Sequence, residues 1–279
     1  MAAIITLTTD FGLTDAYVAE MKGVILGINP EVKLVDISHS IRPQDISQAA
    51  FVLSTACKSF PRGTVHVVAV GPGVGSERRA IILRTPRADF VAPDNGVLSY
   101  VIQESAGLVD DDNTGCRQVE LEPGLQAVAI TRSQFWRSPV SPTFHGRDIF
   151  APVAARLSLG FPLADFGEAV TSVRVLPLSH PYRAPDGALV GHIIHVDGFG
   201  NLITDIKDGD LPRTKEALTV SVGGRQIPGL SRTYAEGEGL LALLGGSGHL
   251  EISVKEGSAS VFLGAGIGDE VRMETRCGH

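Results

Sequence analysis

The stretch Val65-His66-Val67-Val68-Ala69-Val70-Gly71-Pro72-Gly73-Val74-Gly75-Ser76-Glu77-Arg78-Arg79 decides the fold. Val65 to Val70 reads as an apolar strand of the type buried on both faces of a parallel sheet. The glycines at 71, 73 and 75 stand where that strand ends, and they let the backbone approach a ligand closely. In an open α/β sheet, ligands bind in the crevice beyond the strand C-termini. The stretch therefore predicts an enzyme built on a parallel sheet. It lacks the Lys-Ser/Thr ending of a phosphate-binding P-loop, and its spacing is not that of a dinucleotide fingerprint. The bland alternative is a tight turn with two solvated arginines.

Working outward, strands and helices alternate. Ile4 to Thr8 reads as a strand, followed by a helix from Tyr17 to about Leu26, capped by Thr14 or Asp15, with Val18, Met21, Val24 and Ile25 on one face. Asn29-Pro30 stops it. Val32–Ile37 is a strand, Asp45–Ser59 a helix, Pro61-Arg62-Gly63 a turn. Ala80–Leu83 and Phe90–Ala92 are short strands, Val97–Glu104 a helix, and Asp148–Leu159 a strongly apolar helix. This pattern predicts a doubly wound α/β domain with a mostly parallel sheet over 1–178. The acidic run Leu108–Gly124 reads as a surface excursion. Three prolines and a glycine between Pro177 and Gly187 mark a linker, placed at 179–187. From 188 to 279 the texture changes to short strands between glycine-rich turns: Leu189–Val196, Ala217–Val222, Gly239–Leu244, Leu250–Val254, Ala259–Leu263 and Glu270–Glu274. That predicts a C-terminal antiparallel β-barrel domain.

Composition narrows the function. The chain has 279 residues, 43% hydrophobic and 20% charged, with a net charge of -7. An acidic chain whose arginines are dispersed, apart from Arg78-Arg79, is a poor match to nucleic acid. Cys57, Cys116 and Cys277 are far apart and show no zinc-site spacing, so a reducing cytoplasm and no metal are expected. No membrane-length segment and no signal-peptide pattern are evident, and no membrane association is expected.

Candidate site residues gather at strand ends. Asp10 follows the first strand and is either a turn aspartate or a ligand for a ribose or amino group, with Thr9, Gly12 and Asp15 beside it. His145, in Phe144-His145-Gly146-Arg147-Asp148, is either a structural histidine or a site residue. Asp197-Gly198-Phe199-Gly200-Asn201 is either a hairpin turn or a clamp in which an aromatic face meets a purine. Pro93-Asp94-Asn95-Gly96 reads as a turn near the site. Gly245-Gly246-Ser247-Gly248 offers backbone amides to a carboxylate.

Taken in order, Thr8-Thr9-Asp10-Phe11-Gly12, Met21-Lys22-Gly23-Val24, Asp36-Ile37-Ser38-His39, Pro93-Asp94-Asn95-Gly96, Phe144-His145-Gly146-Arg147-Asp148-Ile149-Phe150-Ala151-Pro152, Phe199-Gly200-Asn201 and Leu250-Glu251-Ile252 resemble the S-adenosylmethionine hydroxide adenosyltransferases. These are relatives of the fluorinating and chlorinating enzymes that act on the same substrate. The resemblance spans nearly the whole chain. It implies a homotrimer with sites between subunits, no cofactor beyond the substrate, and cleavage of S-adenosylmethionine to adenosine and L-methionine by displacement at C5′. By position it implies that Asp10 holds the ribose hydroxyls, that Asp197 and Asn201 hold the methionine portion, and that Phe199 lies beside the adenosine. Phe11, Asp15, Asn95 and Gly146 are expected around the substrate, and Gly246, Ser247 and the following strand, through Val254, are expected to make backbone contacts. Arg78 and His145 match two of the family's residues around the attacking water. The third, an Asp before Pro-Gly-Val-Gly, is here Gly71. An enzyme with reduced hydrolysis, a halogenase using chloride, and a non-catalytic S-adenosylmethionine or adenosine binder all follow as readings of that change.

Overall fold

The computed structural model describes residues 2–106, 115–212, 218–237 and 239–275. The chain forms two compact units, Met1–Leu178 and Ser179–His279.

The first unit holds strands β1 (Ile4–Thr9), β2 (Lys33–Ser38), β3 (Thr64–Ala69), β4 (Ala80–Arg84), β5 (Ala88–Pro93), β6 (Arg117–Glu120), β7 (Gln126–Ile130), β8 (Gly167–Val170) and β9 (Ser172–Val175). Its helices are α1 (Tyr17–Ile28), α2 (Ile46–Cys57), α3 (Ser99–Ala106) and α4 (Ala151–Ser158). A seven-stranded sheet runs in the order β2-β1-β3-β5-β4-β7-β8. Its β2-β1-β3-β5 half is parallel, and β4, β7 and β8 extend it by antiparallel pairing. The antiparallel turn at β4–β5 has a simple cause. The connection Thr85-Pro86-Arg87 is too short for a crossover, so the two strands close as a hairpin, with Thr85 N–H donating to Ala88 O.

Strand β3 is buried along its whole length, as its sequence requires. Val65 and Val67 face one apolar layer with Met21, Ile25 and the α4 residues Val153 and Ala154. Val68 and Val70 face the other with Leu53 of α2 and Val101 and Ile102 of α3. Parallel order then puts Asp10, His39, Gly71 and Asn95 just past the C-terminal ends of β1, β2, β3 and β5, on one edge of the sheet.

The second unit holds β10 (Tyr182–Arg183), β11 (Leu189–Val196), β12 (Leu202–Lys207), β13 (Leu218–Val222), β14 (Arg225–Pro228), β15 (Leu240–Leu244), β16 (His249–Val254), helix α5 (Ala259–Leu263) and β17 (Glu270–Thr275). Its eight-stranded antiparallel sheet follows β14-β13-β17-β11-β12-β16-β15, with β10 paired to β11. The two edge strands, β14 and β15, touch, so the sheet is nearly closed into a barrel.

Several sequence expectations are corrected. Ala259–Leu263 is a helical turn, not a strand. The Ser258 hydroxyl caps it by accepting Val261 N–H, and Gly264 ends it in the left-handed region. Neither Thr14 nor Asp15 caps α1; Ala16 occupies the cap position without a side-chain bond. The acidic excursion is partly regular: Arg117–Glu120 pairs with β9, while 107–114 lie outside the described residues, as does Cys277. Segment 179–187 carries β10 and is counted with the second unit.

Candidate active site

In the first unit a cavity of about 380 Å³ opens over the strand ends, lined by Asp10, Phe11, Gly71, Arg78, His145 and Gly146, among others. Asp10 Oδ2 accepts the N–H of Gln44 at 2.8 Å and lies 3.4 Å from the Gly71 nitrogen. Gln44 holds a φ of 64°, uncommon for a residue with a side chain. That strained turn aims an amide at the carboxylate, and backbone strain of this kind clusters at functional sites.

Arg78 reaches the cavity from the loop after β3. Its Nη1 donates to the carbonyls of Gly71 and Pro72 at 3.1 and 2.6 Å. Burial lowers its pKa, and the charge of Asp10 partly opposes that effect. Arg79 is not the solvated residue of a plain turn: it pairs with buried Asp94, donating from Nε at 2.9 Å. Gly71 has a φ of 102°, a left-handed conformation that favours glycine. A β-carbon there would lie 2.7 Å from Asn95 Nδ2 and 3.0 Å from Ile46 Cγ1. Asn95 cannot easily yield, because the same amide donates to Val70 O at 3.0 Å.

His145 stands at the entry to a π-helical turn, Gly146–Phe150, which leads directly into α4. The sequence predicts an ordinary helix beginning at Asp148; the wider turn is a form frequent at functional sites. Its anchor is Asp148, fully buried. The Arg147 Nε and Nη2 donate to Asp148 at 2.7 and 2.9 Å, and Ser141 N–H donates at 2.8 Å. Burial alone would raise the Asp148 pKa, but the Arg147 and Ser141 hydrogen bonds and the nearby arginine charges outweigh it and hold it below its ordinary value. Arg147 also donates to Glu20 at 2.7 Å and lies over the Phe144 ring. His145 itself is pushed below the usual imidazole range, first by burial and then by the Arg78 charge, with Asp148 opposing. It is therefore neutral at physiological pH and able to accept a proton.

In the second unit a cavity of about 660 Å³ is lined by Asp197, Phe199, Asn201, Tyr234 and Val254, among others. The first three sit on the β11–β12 hairpin. Asp197 Oδ1 accepts the N–H groups of Phe199 and Asn201 at 2.8 and 2.9 Å, and its Oδ2 accepts Asn201 Nδ2–H at 2.9 Å. Gly200 must be glycine: its φ is 83°, and a side chain would run into Ser258. The tight tip leaves Phe199 83% exposed, a large aromatic face offered to solvent. Tyr234 donates to Glu251 at 2.7 Å, and that bond, with burial added, pushes its pKa up to about 12.

The structure thus brings Asp10, Phe11, Gly71, Arg78, His145 and Gly146 together, and separately Asp197, Phe199, Asn201 and Val254. Asp15 and Asn95 do not line the first cavity; Asn95 props the Gly71 loop from beneath. Gly246 and Ser247 form the β15–β16 turn, at the far end of that strand pair from Val254, roughly 17 Å away by strand rise. Sequence reasoning missed Tyr17 and Tyr234. Tyr17 completes an aromatic cluster with Phe11 and Phe144, with ring centroids 5.2 to 5.8 Å apart. Aromatic residues next to Gly-containing turns were the available signal. Among the described residues no group of three or more His, Cys, Asp or Glu side chains is placed to hold a metal ion.

The chain thus combines an α/β unit, in which Asp10, Arg78 and His145 converge beyond the strand ends, with a nearly closed antiparallel barrel. The models of the SAM hydroxide adenosyltransferase N-terminal and C-terminal domains match residues 5–167 and 191–272, and the chain belongs to this family. A relative from Salinispora tropica named (R)-S-adenosyl-L-methionine hydrolase is 37% identical, covering 96% of this chain and 97% of its own. A fluorinase from Nocardia brasiliensis is 28% identical with 97% of both chains covered. The solved structure of an uncharacterized conserved protein from Thermotoga maritima superposes with a TM-score of 0.83 at 35% identity, over 97% of this chain and 99% of that one.

Proposed function

We propose that this protein hydrolyses S-adenosylmethionine to adenosine and L-methionine by attack of water on C5′, and that, like its named hydrolase relatives, it takes the (R)-sulfonium epimer. The observation that carries this reading is the convergence of Asp10, Arg78 and His145 in one cavity of a chain matched along most of its length by the family. The chemistry asks for little else. Methionine leaves as a neutral thioether, so neither an acid for the leaving group nor a metal or redox cofactor is required. What must be supplied is an in-line water about 3 Å from C5′ and a group to take its proton. As the C5′–O bond forms, the C5′–S electrons return to sulfur and the water proton passes to a base.

In this chain that base is His145. Gly71 provides no carboxylate, and His145 is neutral beside Arg78. Asp10 is assigned to the ribose hydroxyls, with Phe11 and Gly146 beside the sugar. Asp197 and Asn201 are assigned to the methionine portion, and Phe199 and Val254 to the nucleoside. Hydrolysis without the family carboxylate is expected to be slow. We further propose a homotrimer with sites at subunit interfaces, working in the cytoplasm without membrane or nucleic acid. Exposed apolar residues in each unit support an assembly: Leu13 and Val74 in the first, Phe199, Val261 and Phe262 in the second. Light scattering should then report three times the chain mass of 29.4 kDa.

The deciding experiment is incubation with each sulfonium epimer in heavy-oxygen water, followed by mass spectrometry. Labelled adenosine is the expected product. Absence of adenosine after long incubation sinks hydrolysis. A second reading, halide attack, is favoured by the position of Arg78: its guanidinium is held at the cavity by the backbone carbonyls of Gly71 and Pro72, where a cation can receive an anion. The appearance of 5′-chloro-5′-deoxyadenosine in chloride would select it.

A further inference from the structure

Three of the sequence motifs quoted above are wired to one another by a chain of side chains that the reaction itself does not use. Thr9, at the end of β1, places its Oγ1 2.8 Å from His39 Nδ1. On the other side of the ring, His39 Nε2 lies 3.0 Å from Asp36 Oδ1, a close but bent approach. Asp36 Oδ2 in turn accepts from Lys22 Nζ of α1 at 2.6 Å. The backbone of His39 joins in, its carbonyl accepting Gly12 N–H at 2.8 Å. Phe11 N–H points at Thr9 Oγ1 at 3.3 Å. His39 is 4% exposed and Thr9 fully buried, whereas the Asp36 side chain is 39% exposed.

The direction of each bond follows from chemistry. An ionised Asp36 can only accept, so it selects the tautomer with the proton on Nε2. With the proton on Nε2, Nδ1 offers its lone pair, and Thr9 donates its O–H to it. That leaves a Thr9 oxygen lone pair for the Phe11 N–H. Backbone register brings the partners together. In the β1–β2 pair Leu7 stands opposite Asp36 and Thr8 opposite Ser38, so Ile37 is an extra residue. Continuing the shifted register sets His39 beside Thr9; without the bulge Ser38 would stand there. Bulges that re-aim a side chain next to a site are a recurring device.

We infer that His39, held by Asp36 and Lys22, is a positioning residue that clamps the Asp10-Phe11-Gly12 turn by its ring at Thr9 and by its carbonyl at Gly12. The inference rests on the reading that Asp10 and Phe11 meet the nucleoside. The clamp fixes the residues on both sides of Asp10, so its loss frees the carboxylate to leave the Gln44 amide that it now faces.

The test uses Thr9→Val, which keeps shape and removes the hydroxyl, and His39→Ala, with His39→Asn as the conservative rescue, since the Asn side chain can reproduce the Nδ1 partner. Should the buried variants fail to fold, Asp36→Asn changes a part-exposed group and removes the charge that fixes the tautomer. Adenosine affinity by calorimetry, well below each variant's melting temperature, is expected to fall about fivefold or more in Thr9→Val and His39→Ala. Asn at 39 should recover most of it. Hydrogen exchange on the ligand-free protein should show faster exchange at Phe11 and Gly12 in the same variants, with strand β3 unchanged. If melting temperatures fall while adenosine affinity and exchange at 11–12 stay at wild-type values, the clamp is only structural and the inference is overturned. If the wild type binds no adenosine yet the exchange pattern appears, the clamp stands and the functional reading fails.

Discussion

Gly71 lines the candidate site together with Arg78 and His145. Restoring an aspartate there looks like the direct repair, but the backbone at 71 has a φ of 102°, and the β-carbon position is taken by Asn95 and Ile46. Gly71→Asp is therefore expected to lose about 1–3 kcal/mol of stability from strain, read by urea unfolding, and to give no gain in adenosine release. A faster Gly71→Asp enzyme would show that the loop re-forms around the new side chain. His145 carries the complementary expectation. Its pKa lies below the ordinary 6.5, so the rate should be flat at neutral pH and fall as acid protonates the ring. His145→Gln is expected to lower kcat by roughly 10²–10⁴ and to abolish that acid limb. The glycine at 71 was plain in the sequence. The crowding around it was not, because the space a side chain would need is filled by Asn95 and Ile46, residues distant along the chain.

At the scale of elements, the π-helical turn depends on a buried carboxylate. Asp148→Asn removes the charge that receives Arg147 and is expected to cost about 1–3 kcal/mol, the range for losing hydrogen bonds to a charged group, read from the denaturant midpoint. The sign of its pH effect follows from a pKa held below 3.8. The stabilisation is fully present above the unfolded value of 3.8 and is lost as pH falls through the lower folded one. The sequence marked this segment as helix from its apolar spacing but could not show the wider turn, which is drawn by bonds from Arg147 and Ser141 to one carboxylate. Helix α5 shows the same limit. Ala259-Ser260-Val261-Phe262-Leu263 has the composition of a strand, yet the Ser258 cap and the Gly264 terminator make it a helical turn, and its Val261 and Phe262 remain exposed.

Across the whole molecule, the sheet core holds a buried imidazole whose protonation opposes folding. His66 lies in β3, bonded to Thr6 at 2.7 Å and stacked on Phe90, and burial pushes its pKa down to about 4. In the unfolded chain it titrates near 6.5, so below that pH the unfolded state binds the extra proton and folding weakens. Stability should fall by about 2 kcal/mol between pH 7 and pH 5, and His66→Gln should remove that dependence; an unchanged slope in the variant would place the effect elsewhere. The sequence by itself determined that β3 is buried on both faces, that Asp10, Gly71 and His145 stand at element ends, and that the chain changes texture near 180. Those properties are written in local apolar runs and in glycine and proline positions. Only the tertiary structure decided that β4 lies between β5 and β7, that Lys22, Asp36, His39 and Thr9 form one chain of contacts, and that Asp10, Gly71 and His145 line one cavity. Each of these depends on which strand ends meet in space, and strand pairing is fixed by packing across the sheet, not by neighbours in sequence.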